Sequence, residues 1–101
     1  MILTAATEIK KNIKPGFCLE QNDPNPFKKR TIIKINLPHR TRMTVIITNT
    51  YGKVIDKMIE NTKDAGTYEL EFIAEELPFG TYFCHVVADS FCESKEMELT
   101  K

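Results

Sequence analysis

The side chains with the chemistry to act on a bound group are two histidines, His39 and His85, three cysteines, Cys18, Cys84 and Cys92, and a scatter of carboxylates. Nucleophilic catalysis needs a base within hydrogen-bond reach of the nucleophile and a third group that orients the base. His39 sits in the basic turn His39-Arg40-Thr41-Arg42 and His85 in an alternating apolar run, and no glycine-framed serine or cysteine lies near either. Both histidines therefore read as solvent-facing or satisfied by a neighbour, and the chain reads as no enzyme. Zinc needs thiolate and imidazole ligands in closely spaced pairs, and no such pair occurs. Asp56, Asp64, Asp89 and the pair Glu75-Glu76 are dispersed, and no loop offers oxygens at alternate positions as a calcium loop does. No metal or other cofactor is expected.

With 101 residues the chain has the length of one domain, enough for a two-layer core without an enclosed cleft. Its 14 basic and 14 acidic residues cancel, so no charge excess points to nucleic acid or to an anionic membrane. Lys10, Lys11 and Lys14, and then Lys28, Lys29 and Arg30, are short runs among turn residues and read as solvated loop charge. Three cysteines make no disulfide framework, and the odd count leaves at least one thiol unpaired in a monomer. The opening Met1-Ile-Leu-Thr-Ala-Ala-Thr-Glu8 lacks the basic lead and apolar core of a signal peptide, and no run is long enough to cross a membrane as a helix. If the protein is exported, this chain is expected to be a piece of a larger precursor.

The element that positions everything else is residues 19–37. Pro24 and Pro26 lock their own φ and turn Asp23 and Asn25 away from helix, while Asn22, Asp23 and Asn25 have side chains that bond to nearby backbone. Phe27 closes the bend and is its candidate buried anchor. After it, Arg30–Leu37 alternates, with Thr31, Ile33, Ile35 and Leu37 on one side, and Ile32, Lys34 and Asn36 on the other. Residues 1–16 carry scattered apolar positions and the punctuator Pro15-Gly16, and read as a flexible lead or linker. Phe17-Cys18-Leu19 reads as a short edge strand.

The rest of the chain alternates likewise. Met43, Val45, Ile47 and Asn49 share the inner face of a central strand whose other face carries Thr44, Ile46 and Thr48. Asn49-Thr50-Tyr51-Gly52 is a turn with glycine at its close. Residues 53–59 are less regular, which a bulge or a change of sheet would explain, and 61–66 read as a polar loop. Tyr68, Leu70 and Phe72 alternate against Thr67, Glu69 and Glu71. Leu77 returns from a loop to the core, Tyr82, Cys84 and Val86 face inward, and Thr81, Phe83, His85 and Val87 face the other way. A two-residue turn at Asp89-Ser90 pairs Ala88 with Phe91 and Cys84 with Lys95, which sets Cys84 and Cys92 on opposite faces and excludes a disulfide between them in that register. Phe91, Met97 and Leu99 are the apolar positions of the last strand. Tyr51 and Phe83 are candidates for exposure. A last strand at a sheet edge either invites strand addition by a partner or is simply the end of the chain.

Such short strands with polar turns give an all-β fold: an immunoglobulin-like or fibronectin-like antiparallel β-sandwich of about seven strands over 17–101, after a lead at 1–16. The absence of tryptophan removes the Cys-Trp-Cys arrangement of true immunoglobulin domains.

Taken together, Leu19-Glu-Gln-Asn-Asp-Pro-Asn-Pro-Phe27, Thr31-Ile-Ile-Lys-Ile-Asn-Leu-Pro38, Asn49-Thr-Tyr-Gly-Lys-Val54, Ala65-Gly-Thr-Tyr-Glu-Leu-Glu-Phe72, Leu77-Pro-Phe-Gly-Thr-Tyr82 and Lys95-Glu-Met-Glu-Leu-Thr-Lys101 resemble the C-terminal sorting domain of proteins exported by the type IX (Por) secretion system of Bacteroidetes. The immunoglobulin-like domain of flagellar hook-capping proteins shares the Pro-Asn-Pro-Phe bend and the Gly-x-Tyr strand, so an accessory structural or binding module of a cell-surface enzyme or a hook-capping protein is the alternative. The resemblance implies a non-catalytic domain behind an upstream cargo domain, routed through the periplasm to the cell surface or medium. It implies recognition by the type IX machinery and removal by a sortase-like surface peptidase, with no membrane insertion and a monomeric isolated domain. Residue by residue, Pro24, Asn25, Pro26 and Phe27 match the opening motif, Gly52 the turn glycine, Gly80 and Tyr82 the Gly-x-Tyr motif, and Lys95, Met97, Leu99 and Lys101 the terminal segment. The chain departs from the family pattern at Ile73, at Glu96 and in the two cysteines of the last hairpin.

Overall fold

The computed structural model describes residues 16–101 and the backbone of residues 6–9; Lys10, Lys11, Lys14, Ile2, Leu3, Ile13 and Pro15 lie outside the described residues. Strict alternation has the consequence expected of it. Eight strands, β1 (Ala6–Ile9), β2 (Cys18–Leu19), β3 (Arg30–Leu37), β4 (Thr41–Asn49), β5 (Val54–Lys63), β6 (Gly66–Ile73), β7 (Gly80–Ala88) and β8 (Phe91–Leu99), form two antiparallel sheets. One has the order β1-β6-β3-β2 and the other β5-β4-β7-β8. No helix occurs among the described residues.

Each sheet contributes one apolar face. Ile33, Ile35 and Leu37 of β3 and Tyr68, Leu70 and Phe72 of β6 meet Met43, Val45 and Ile47 of β4, Tyr82, Cys84 and Val86 of β7, and Met97 and Leu99 of β8, all buried. Full burial of a Val, Leu, Ile, Phe or Met side chain stabilises by roughly 1.5–3 kcal/mol, so this interior supplies the driving force for closing the sheets. The outer positions Lys34, Glu69 and Arg30 pair instead as ions with neighbours on their own sheet, Lys34 with Glu69 at 3.9 Å and Arg30 with Glu71 at 3.4 Å. Asn36 is an exception to the polar-out rule. It is buried, donating from Nδ2 to the Gly16 carbonyl at 2.6 Å and accepting at Oδ1 from Thr67 at 3.0 Å.

Two local expectations meet a different arrangement, and one left between two alternatives resolves to the bulge. Ala6–Ile9, within the segment read as a lead, pairs with β6 from Ala6 opposite Leu70 to Ile9 opposite Thr67, covering an edge of β6 that its own sequence leaves open. The irregularity of 53–59 is a pair of register shifts, at Val45/Ile46 and Ile47/Thr48, and β5 stays beside β4 in one sheet. Residues Asn61, Thr62 and Lys63, read as loop for lack of apolar positions, continue β5 opposite Met43, Arg42 and Thr41. Backbone pairing suffices there, and polar side chains suit an edge strand.

Candidate functional site

The bend between β2 and β3 is built by hydrogen bonds that begin at Asn22. This side chain is buried, donating from Nδ2 to the Pro24 carbonyl and to Thr31 Oγ1, both at 3.0 Å, while Thr31 Oγ1 donates to the same carbonyl at 2.8 Å. Asp23 and Ile32 exchange two backbone hydrogen bonds of 3.0 Å, closing the base of the bend. The Asp23-Pro24 and Asn25-Pro26 peptides are both cis. Asn22 thus bonds locally as its type and position suggest, and Asn25 does not.

Asn25 and Phe27 reach across to the end of the chain. Asn25 Oδ1 accepts from the Glu98 amide at 2.9 Å, the Phe27 amide donates to the Glu98 carbonyl at 2.9 Å, and the Thr100 amide donates to the Phe27 carbonyl at 2.8 Å. Gln21 Nε2 adds a bond to the Glu96 carbonyl at 2.7 Å. Phe27 and Leu99 form a parallel bridge, so one residue of the bend acts as a short extra strand on the outer edge of β8. The Phe27 ring is the expected buried anchor, edge-on to Phe72 with ring centroids 6.1 Å apart. The Pro-Asn-Pro-Phe motif and the terminal segment are one hydrogen-bonded clasp.

The Gly-x-Tyr motif lies on the opposite edge of the same strand. Gly80 pairs with Leu99 and Tyr82 with Met97. Gly80 turns the loop into β7 at φ +142°, a conformation that disfavours any side chain although the space around it is open. The Tyr82 hydroxyl donates to the Pro78 carbonyl at 2.6 Å, and Tyr68 makes the same four-residue reach to the Asp64 carbonyl, also at 2.6 Å. Both are tyrosine corners of the kind that fix entry into sandwich strands. Desolvation by burial raises the Tyr82 hydroxyl pKa above its ordinary value.

Of the residues singled out from the sequence, the fold brings Asn25, Phe27, Gly80, Tyr82, Met97 and Leu99 together around the C-terminal half of β8. Pro24 and Pro26 form the exposed outside of the bend, lining with Phe27, Lys28, Lys29 and Arg30 an open recess of about 410 Å³. Lys101 is exposed, and Lys95 is half-buried with its ammonium 3.7 Å from Glu93. Gly52 is elsewhere, closing the β4–β5 turn at φ +81° on the far side of that sheet, where Asn49 Oδ1 accepts from the amides of Tyr51 and Lys53. Sequence reading passed over Gln21 as part of the clasp and Thr31 as a partner of Asn22 inside the bend. The sole trace of them is a run of amide and hydroxyl side chains around two prolines.

The chemistry-bearing residues stay apart. His85 is hydrogen-bonded through Nε2 to Thr48 Oγ1 at 2.8 Å and through Nδ1 to Ser94 Oγ at 2.6 Å, a line across three strands without the carboxylate that would stabilise an imidazolium. His39 lies 3.7 Å from Asp89 and edge-on to Phe17. Cys18, Cys84 and Cys92 are free thiols, and burial pushes that of Cys84 up to about 12. Among the described residues no three His, Cys, Asp or Glu side chains converge as a metal site.

No curated protein and no solved structure gave a match. A family model described as the secretion system C-terminal sorting domain matches residues 24–97, from the first proline of the bend to Met97 in the clasped half of β8. A match over well more than half of the chain, on a two-sheet antiparallel sandwich, makes this chain a member of the type IX secretion C-terminal sorting domain family.

Proposed function

We propose that residues 17–101, with β1 (Ala6–Ile9) of the preceding segment added to their sheet, are the export signal of a larger cargo protein, read as a folded sandwich by the type IX outer-membrane translocon and then removed by a sortase-like surface peptidase. The domain is a substrate of that removal and takes no catalytic part in it. One observation carries this reading. The opening motif and the terminal segment, far apart in sequence, meet in the clasp, so the machinery is offered a single surface made of both. Met97 and Leu99 are buried within it, so they serve the signal by holding its shape, and contact falls to the exposed Pro24, Pro26, Lys28, Lys29 and Lys101 and to half-buried Lys95.

The burial of Met97 and Leu99 also decides the experiment. Deleting residues 95–101 would strip the core of a strand and lose export through unfolding alone. A leader-bearing fluorescent reporter is instead fused before the intact chain, and before a Lys95→Glu, Lys101→Glu variant, in a bacterium with the type IX apparatus. Reporter at the surface or in the medium with the intact chain, and periplasmic with a variant that keeps its circular dichroism, supports the reading. Reporter held in the periplasm by the intact, folded chain overturns it.

A further inference from the structure

The clasp leaves part of β8 uncovered. Every clasp bond is made by an even-numbered residue, Glu96, Glu98 or Thr100, which places the backbone groups of the even residues on the outer edge of the sheet and those of the odd residues toward β7. Cys92, Ser94 and the amide of Glu96 therefore present their polar backbone to the outside. Among the described residues nothing pairs with them. The clasp begins at the Glu96 carbonyl and the Asp89-Ser90 turn closes the other end, so the free edge is Cys92 to Glu96, with Ser94 at its centre.

Charge flanks that centre symmetrically. Glu93 and Lys95 lie on the inward side of the edge strand, each about one third exposed. Inward charges on an edge are a device against promiscuous pairing, because a neutral strand laid beside them would strip their water and leave each with only its neighbour on the same strand, 3.7 Å away. A strand of reciprocal charge is accepted, and this chain carries one. If two copies pair antiparallel about a two-fold axis at Ser94, Ser94 faces Ser94, Glu93 faces Lys95 and Lys95 faces Glu93 of the other copy. Cross-strand opposite charges stabilise, and like charges directly opposite destabilise.

We infer that the free edge of β8 is a self-recognition surface, taking a second copy of this chain in that register to join two four-stranded sheets into one of eight. The isologous geometry closes on itself and leads to no fibre. The clasps limit the shared ladder to five residues a side, so the contact is far smaller than a stable interface. Pairing is weak in dilute solution and significant where copies are concentrated. This inference stands apart from the export reading, since it is read as mass in solution.

Sedimentation equilibrium on the full 101-residue chain tests it, with circular dichroism to show that each variant is folded. Wild-type mass is expected to rise with concentration, and less steeply in high salt. Glu93→Lys alone and Lys95→Glu alone set like charges opposite and are each expected to weaken association by about tenfold or more, while an equimolar mixture of the two recovers it as a heterodimer. Ser94→Pro removes an outward amide without touching the β7 ladder and is also expected to abolish pairing, which keeps the test decisive should a charge variant unfold. A wild-type chain monomeric up to about 1 mM, or single charge variants associating as well as wild type, overturns the inference.

Discussion

Along β8 the chain passes between two environments. From Glu96 onward the strand is held on both edges, by β7 on one side and by Gln21, Asn25 and Phe27 on the other, and its inward residues Met97 and Leu99 are fully buried. From Phe91 to Lys95 it has β7 alone, and its inward positions are a half-buried Phe91 stacked on Phe17 and the ion pair of Glu93 with Lys95. The same secondary structure is thus core in one half and surface in the other. Residue type follows the difference. Where a second edge partner excludes water the inward positions are apolar, and where it is missing two of the three, Glu93 and Lys95, are charged, because a partly wet charge costs little and guards the edge.

That contrast places the largest loss of stability at the residue that makes the second edge. Phe27→Ala removes a buried ring packed on Phe72 and is expected to cost about 3–5 kcal/mol in a denaturant melt. A loss below about 1 kcal/mol would mean that the bend is not seated in the core. Met97→Ala, in the clasped half, is expected to cost about 2–5 kcal/mol, and Lys95→Ala, two residues earlier on the same face, no more than about 0.5 kcal/mol. Equal effects would erase the boundary at Glu96.

The thiols sharpen the comparison through pH. Cys84 is buried on β7 opposite Lys95, and its pKa is pushed up to about 12 from an ordinary value of 9.0, whereas Cys92 is exposed on the open half of β8. An acid whose neutral form is favoured by folding contributes stability that is intact below the unfolded-state value and is lost as pH rises through the window to the folded one. Between pH 9 and about 12 the unfolded chain releases the Cys84 proton and the folded chain keeps it, so stability falls by about 1.4 kcal/mol per pH unit from this group. Cys84→Ala is expected to remove one proton's worth of that slope in melts across the range. A thiol reagent should label Cys92 in the native state and reach Cys84 only on unfolding.

The clasp was the part least legible in the sequence, and the reason is distance along the chain. Strands β3, β6 and β7 and the Asp89-Ser90 turn were readable because a half-buried strand writes a period of two into its own residues, and a two-residue hairpin turn fixes the register that follows. Tyr68, Leu70 and Phe72 need nothing beyond their neighbours to be placed on an inner face. Asn25 and Glu98 are 73 residues apart, and nothing local in either says that they meet. β1 and the end of β5 were missed for a related reason. Both pair through backbone groups that every residue carries, so Asn61-Thr62-Lys63 can be strand without any apolar signal. The resemblance to a family found the bend and the terminal segment as separate motifs, and the fold supplies the physical link between them.

A single exposed hydrogen bond tests that link most directly. Glu98 and Met97 are adjacent, yet their amides face opposite ways: Met97 pairs with Tyr82 on β7, and the Glu98 amide has Asn25 Oδ1 as its partner. Asn25→Ala removes one exposed acceptor and is expected to cost about 0.5–1.5 kcal/mol overall. In hydrogen exchange on a dilute sample, the Glu98 amide should lose its protection in the variant, while the Met97 amide slows or quickens only with global stability. The Ser94 amide is the internal control, since it faces outward with no partner and should exchange quickly in both proteins. A Ser94 amide as well protected as that of Glu98 would show that the open half of β8 is already covered and that the two halves do not differ. A Glu98 amide unmoved by Asn25→Ala would show that the bend holds the terminal strand through the Phe27 backbone alone.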